Sequence, residues 1–247
     1  MRFDENLARR YEAWFKTESG QVALRCEKAL VEYLISPWPR RNQRLLEVGC
    51  GPGFFLDLFW RSGFDVTGID PAPAMIAAAR RRLGKNADLL LGHAEHLPCN
   101  DKEYDYVTLI TTLEFCTDPR AAMAEAVRVA RKGVLIGFLN RRSLYYLSHG
   151  KNWPWSDCKG LLRQACWHSW TDVWDLFLAE AGPRPFRARS VLPGPAGTWR
   201  NRAPWRQINT LLYPARIGAF AAVRFDLVDD TPLTPIMAWK TEPRTSS

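Results

Sequence analysis

"LLEVGCGPGFF", residues 45–55, decides how the rest of the chain is read. Leu45–Val48 suits a buried strand and runs straight into Gly49, Gly51 and Gly53. Glycines at that density mark backbone that must come close to something, because no Cβ stands in the way. A dinucleotide-binding loop requires G-x-G-x-x-G, whose third glycine permits tight helix–strand packing. Here the spacing is G-x-G-x-G, and Phe54 stands in the place of that third glycine. A P-loop would require Gly-Lys-Ser/Thr after its glycines, which is also missing. A glycine turn without a ligand is the plain alternative.

Outward from the loop, strand and helix alternate. Strands are expected at Val66–Asp70, Ala87–Leu91, Tyr104–Thr111 and Gly133–Leu139, with helices at Phe54–Ser62, Pro73–Leu83 and Pro119–Ala130. Short Val/Leu/Ile runs separated by helices argue for a parallel sheet covered on both faces. The loop then lies at the carboxyl edge of that sheet, where ligands bind in such folds. Free amides at a helix start favour a carboxylate there. Asp70 ends the second strand in "VTGID", and a carboxylate at that place can accept hydrogen bonds from vicinal ribose hydroxyls. It can equally cap the helix that begins at Pro73, and the two roles are compatible.

Residues 5–34 carry apolar stripes at helical spacing, Leu7-Tyr11-Trp14-Phe15 and then Val22-Leu24-Ala29-Leu30-Leu34, with a break expected near Ser19-Gly20. After Asn140 the regularity weakens. A helix at Trp170–Ala181, a strand at Phe186–Leu192, a short helix at Trp205–Leu212 and a last strand at Ala219–Val228 are expected. The tail from Asp229 holds three prolines and reads as extended or disordered. Four parts follow: a helical cap at 1–40, a core at 41–140, the remaining helix and strands with insertions at 141–228, and a tail at 229–247.

The 247 residues include six cysteines with no C-x-x-C pair, read as reduced thiols of a cytoplasmic protein. The four histidines form no metal-ligand cluster with them, so no metal is expected. No apolar run reaches the roughly 20 residues of a membrane span, and the first residues lack the apolar segment of a signal peptide. The net charge is +8. Between Arg141 and Arg216 stand 12 Lys/Arg against 4 Asp/Glu, so the whole excess falls in that segment. It suggests a partner with negative charge, or else a solvated basic surface.

LLEVGCGPG (45–53), GIDPAPAMI (68–76), GHAEHLP (92–98), YDYVTLITTLEF (104–115) and GVLIGFLN (133–140), in this order, resemble the class I S-adenosylmethionine-dependent methyltransferases, and within them the type 11 small-molecule subgroup. The resemblance covers about residues 40–140. It implies an α/β fold: a Rossmann-like, doubly wound, seven-stranded mixed sheet, mostly parallel with the last strand antiparallel, N-terminal helices and a lid insertion. It implies S-adenosylmethionine as cofactor. Glu47 would meet the cofactor's ammonium, and Gly49, Gly51 and Gly53 would make room for its amino-acid arm. Asp70 would hold the ribose, with Pro71 or Met75 flanking the adenine. Relatives place Asp-Ala in the third loop, whereas this chain has His93-Ala94 followed by Glu95, which unsettles the adenine contact. Thr111 and Thr112 would contact the methionine arm. "YEAWF" resembles the opening helix that closes over the cofactor, so Tyr11 and Trp14 either cover it or serve as core.

The implied reaction is methyl transfer by in-line displacement, in which the protein positions reactants and excludes water. His149 and His168 are the candidate bases where an acceptor must lose a proton. The lid is expected at 141–167 and 194–216, with Tyr145, Tyr146, Trp153, Trp155, Trp199 and Arg200 as candidate acceptor contacts. Aromatic and basic residues together suit a small anionic or aromatic metabolite. They also suit RNA, although TTLE (111–114) stands where a base-methylating site would show an NPPY-like tetrapeptide. A non-catalytic cofactor-binding or interaction protein on the same fold is the third reading.

Overall fold

The computed structural model describes residues 5–150, 162 and 165–228. The candidate contacts Trp153 and Trp155 and the 229–247 tail lie outside them. Two helices, α1 (Glu5–Trp14) and α2 (Glu18–Ile35), precede an alternating series. It runs β1 (Arg44–Val48), α3 (Phe54–Arg61), β2 (Asp65–Asp70), α4 (Pro73–Leu83), β3 (Asp88–Leu91), β4 (Tyr104–Ile110), α5 (Pro119–Val129) and β5 (Ala130–Leu139). Then come α6 (Leu144–His149), α7 (Trp170–Ala181), β6 (Phe186–Val191), α8 (Trp205–Thr210) and β7 (Phe220–Asp226).

The strands form one seven-stranded sheet in the order β3-β2-β1-β4-β5-β7-β6. β7 is antiparallel to both β5 and β6, and the other described pairings are parallel. This is the mixed, doubly wound sheet expected from the sequence. Order reverses at β1, so the carboxyl ends of β1 and β4 diverge and leave a crevice there. The residues of the central strands β1, β4, β5 and β7 alternate between two buried layers. Leu45, Tyr106, Leu135 and Ala222 join the layer with residues of α2 and α3. Leu46, Val107, Val134 and Val223 join the layer with residues of α5 and α7. Burial on both faces is why these strands read as unbroken apolar runs.

Three expectations change. The break in the N-terminal helices falls at Phe15–Thr17, not Ser19-Gly20. Thr17 caps α2 by accepting from the Gly20 N–H (3.1 Å), and Gly20 marks a close approach: a Cβ there would lie 2.1 Å from the Trp14 carbonyl. β5 begins at Ala130, three residues early, because Tyr104 of β4 pairs with it across an irregular register. Helix α6, where the sequence pattern had weakened, is capped by Ser143, whose hydroxyl accepts from the Tyr146 N–H (3.1 Å). Among the described residues no helix is long and apolar enough to cross a membrane.

Candidate active site

The turn after β1 is held by its own backbone. The N–H groups of Gly49 and Cys50 both donate to the Ile69 carbonyl, at 2.7 and 3.0 Å. Gly49 has φ +71°, and a Cβ on it would lie 2.5 Å from Thr112 Oγ1. That hydroxyl is itself fixed, donating to the Val48 carbonyl at 2.8 Å. The chain can pass between β1 and β4 here only as glycine. Asp70 ties the turn to the next loop: Oδ2 accepts from the Gly51 N–H and Oδ1 from the Ala72 N–H, each at 2.9 Å. Burial pushes the Asp70 carboxyl up, and these two N–H groups pull it back. On the outer side Arg82 of α4 donates to the Pro52 carbonyl (2.8 Å) and lies 4.0 Å over the Phe54 ring.

A cavity opens above these loops. Of the residues expected to hold a cofactor, Tyr11, Glu47, Gly49, Gly51, Asp70, Pro71, Met75, His93, Ala94, Glu95, Thr111 and Thr112 line it. Gly53 does not. It lies against α4, where a Cβ would come within 2.8 Å of Leu83 Cδ1. Its role is the helix packing that a third glycine has in dinucleotide folds, moved one position earlier. Sequence reasoning missed Phe54, Phe55, Ile110 and Phe115 on the lining. They flank the quoted motifs, but apolar residues there look like any others beside a sheet edge.

Glu47 is 2% exposed and its Oε2 has no hydrogen-bond partner. Burial raises its carboxyl well above the ordinary range. The Lys28 charge and the nearby Leu56 N–H oppose the rise, and Asp70 adds to it. A buried carboxylate oxygen without a donor is costly, so this wall is built for a ligand that supplies one. Gly51 also lines the cavity, and a Cβ placed on it meets nothing within 4 Å. An amino-acid ammonium on Glu47, a chain passing Gly51 and ribose hydroxyls on Asp70 fit these vacant acceptors and spaces. Glu95 is partly engaged, accepting from the Thr117 N–H at 2.8 Å, and His93 is exposed at the rim.

The candidate bases are elsewhere. His168 is buried beside β5, with burial lowering its imidazole, and His149 packs 4.5 Å from the Tyr145 ring with Nδ1 2.8 Å from Ser148 Oγ. Neither lines the cavity. Tyr145 and Trp199 are buried against each other at 4.5 Å, and Tyr146 packs on Trp167 at 5.3 Å, so they form a wall rather than an open binding face. Arg200 is exposed and donates to the Gly197 carbonyl. Among the described residues no Lys or Arg of the basic segment lines the cavity. Arg141 pairs with Asp172 at 3.2 Å, and Arg187 lies over Tyr33.

Glu27 of α2 was not singled out in the sequence. It is 8% exposed and makes no hydrogen bond or ion pair among the described residues, and burial pushes its carboxyl up to about 8. The available signal was a carboxylate inside an apolar stripe, Ala23-Glu27-Leu30-Leu34, all buried. Because its folded value lies above the unfolded one, stability is fully present below about pH 4.5 and falls as pH rises towards 8. Glu27→Gln should therefore be more stable than the natural chain at pH 8.5, by ~2 kcal/mol or more, with the gap closing at pH 4.5. Thermal melts at the two pH values check this.

A methyltransferase-domain family model matches residues 46–138. The chain is 38% identical over 97 residues to the malonyl-[acyl-carrier protein] O-methyltransferase of Serratia marcescens, covering 39% of this chain and 38% of that one. It is 33% identical over 115 residues to the ubiquinone biosynthesis O-methyltransferase of Thiobacillus denitrificans, covering 44% and 50%. The chain thus spans half or less of these relatives' length. In structure it is similar to a Thermotoga maritima methyltransferase described as a possible histamine N-methyltransferase, with TM-score 0.72, 23% identity and coverage of 91% and 97%. It is also similar to the Synechocystis magnesium protoporphyrin IX methyltransferase with bound S-adenosylhomocysteine, with TM-score 0.60, 13% identity and 85% coverage of both. The matched segment runs from within β1 to within β5, so residues 46–138 match a methyltransferase domain, and the sheet order gives the chain the fold of the methyltransferases to which it is similar.

Proposed function

We propose that this protein catalyses methyl transfer from S-adenosylmethionine to a small aromatic acceptor. The observation that carries the reading is the unpartnered Glu47 Oε2 on the same cavity wall as Gly51 and Asp70. The cofactor, when bound, supplies a methyl group already activated on a sulfonium. The protein's part is position and dryness. Glu47 holds the ammonium, Asp70 the ribose, and Pro71, Met75 and His93 stand where the adenine would lie. Tyr11, on the N-terminal helical cap, closes the cavity, with its hydroxyl facing Thr111. The sequence offered anionic and aromatic acceptors. The aromatic one is carried forward, because Phe54 and Phe115 line the cavity while no described cation does. The relatives' own acceptors differ from one another, so none is transferred.

Calorimetry with S-adenosylhomocysteine should give one site per chain with micromolar affinity. Absence of binding would overturn the reading. Bulk RNA should bind only weakly, and a steep loss of RNA affinity with salt would favour the nucleic-acid acceptor instead.

A further inference from the structure

Between Glu180 and Asp226 stand eight arginines and no Lys, Asp or Glu. Five of the eight are used within the fold. Arg184, Arg189 and Arg200 donate to the carbonyls of Ala181, Ala188 and Gly197, Arg187 lies over Tyr33, and Arg224 pairs with Asp226 at 2.9 Å. Arg202, Arg206 and Arg216 remain. All three are exposed, and among the described residues no carboxylate or carbonyl accepts from their side chains.

The loop after α8 also leaves aliphatic side chains in water. Leu211, Leu212 and Ile217 are 56%, 39% and 44% exposed. Their backbone is nevertheless tied down. Tyr213 and Ser190 of β6 exchange both backbone hydrogen bonds, at 2.8 and 2.9 Å. The Ser190 hydroxyl donates to the Pro214 carbonyl (2.7 Å) and accepts from the Gly218 N–H (2.9 Å). Asn140, buried just after β5, donates to the Gly218 carbonyl (2.9 Å) and accepts from the Arg142 N–H (3.0 Å), which joins this loop to the start of α6. Arg142 is exposed as well. The loop enters β7 at Phe220, which pairs with Leu139 at the carboxyl end of β5, so it lies on the sheet edge that bears the cavity.

Exposed aliphatics among unpaired arginines are complemented by a surface that is anionic outside and apolar just beneath. A solvated basic surface has no use for the aliphatics. RNA calls for exposed aromatic faces, and two aromatics of this segment are engaged inward instead: Trp199 is buried with Nε1 donating to the Gly194 carbonyl (3.1 Å), and the Tyr213 hydroxyl donates to the Ile208 carbonyl (3.0 Å). We propose that residues 202–217, with Arg142 beside them, dock the protein on an anionic lipid bilayer. Leu211, Leu212 and Ile217 enter the boundary of the acyl chains, while Arg142, Arg202, Arg206 and Arg216 meet headgroup phosphates. The docking is peripheral and turns the cavity-bearing edge of the sheet towards the bilayer. It goes beyond the methyl-transfer reading and does not depend on it.

The test floats the whole chain, without cofactor, on two kinds of vesicle: phosphatidylcholine alone, and phosphatidylcholine mixed with phosphatidylserine. The chain should bind the anionic vesicles at least about tenfold more tightly than the neutral ones, and the binding should weaken as salt is raised to about 0.5 M. The double variant Leu211→Asn, Ile217→Asn should lose about tenfold or more in vesicle affinity, and so should Arg206→Gln, Arg216→Gln. All four side chains are exposed, so thermal melts of both variants should match the natural chain. The proposal is overturned if neither vesicle binds, or if the neutral vesicles bind as well as the anionic ones. It is overturned too if only the arginine variant weakens binding, which is the behaviour of a solvated basic surface. Tighter binding of bulk RNA than of anionic vesicles would make nucleic acid the partner instead. Should a variant prove unstable in the melts, the natural chain's preference among the two vesicles and RNA decides alone.

Discussion

Asp70→Ala should weaken S-adenosylhomocysteine binding by about a hundredfold. The carboxylate has two jobs, and both end together. Each of its oxygens already accepts one backbone N–H, from Gly51 and from Ala72, and keeps a lone pair for a ribose hydroxyl. Hydrogen bonds to a charged group contribute about 1.5–3 kcal/mol each. Loss of two to the ligand therefore suffices for the expected fall, before any loosening of the glycine turn. Asp70→Asn separates the two jobs: the amide keeps one acceptor but aims a donor at a backbone N–H. Calorimetry on both variants, with thermal melts to confirm folding, is the measurement. An Asp70→Ala affinity within threefold of the natural chain would remove Asp70 from the cofactor site.

The second large effect is expected at Gly49. Gly49→Ala forces a side chain onto φ +71° and drives its Cβ to 2.5 Å from Thr112 Oγ1, which cannot turn away without giving up its bond to Val48. Stability should fall by ~2–4 kcal/mol, the sum of backbone strain and overpacking, and cofactor-product affinity should fall with it. Gly51→Ala is the informative contrast. Its Cβ meets nothing within 4 Å and projects where a ligand would lie. The fold should lose only ~1 kcal/mol, yet binding should suffer as badly. Equal destabilisation of the two variants in thermal melts would contradict this division of roles.

Much of the cavity wall was legible in the sequence. Glu47, Gly49, Gly51, Asp70, Pro71, Met75, Thr111 and Thr112 all lie at or just after the ends of strands, and strand ends are local features. A run of apolar residues stops, a glycine or an acid follows, and the parallel arrangement carries each such end to one edge. Gly53 was misread because spacing alone cannot tell a glycine that faces a ligand from one that faces a neighbouring helix. Gly20 was misread for a related reason: a glycine that permits contact with another helix looks like one that ends its own.

The acceptor side was not legible in the same way. Charge counted along the chain suggested that the 141–216 segment faces an anion or forms a solvated basic surface; in the structure Arg141 turns to Asp172, Arg187 lies over Tyr33, and Arg189 and Arg200 donate to carbonyls. Tyr145, Tyr146 and Trp199 looked like a binding face and are packed upon one another and Trp167. His168 looked free to act as a base and is sealed beside β5.

By itself the sequence determined the alternation of strands and helices, the sheet edge that bears the cavity and the likeness of residues 46–138 to a methyltransferase domain, because each depends on short motifs at strand ends. Tertiary structure alone decided which side chains share the cavity. Tyr11, Glu47, Asp70 and Thr111 come from four separate elements, α1, β1, β2 and the turn after β4. Whether a carboxyl such as Glu27 is solvated or stranded depends on what those other elements place around it. A local pattern can show that a charge sits on an apolar face, but only packing withholds its partner.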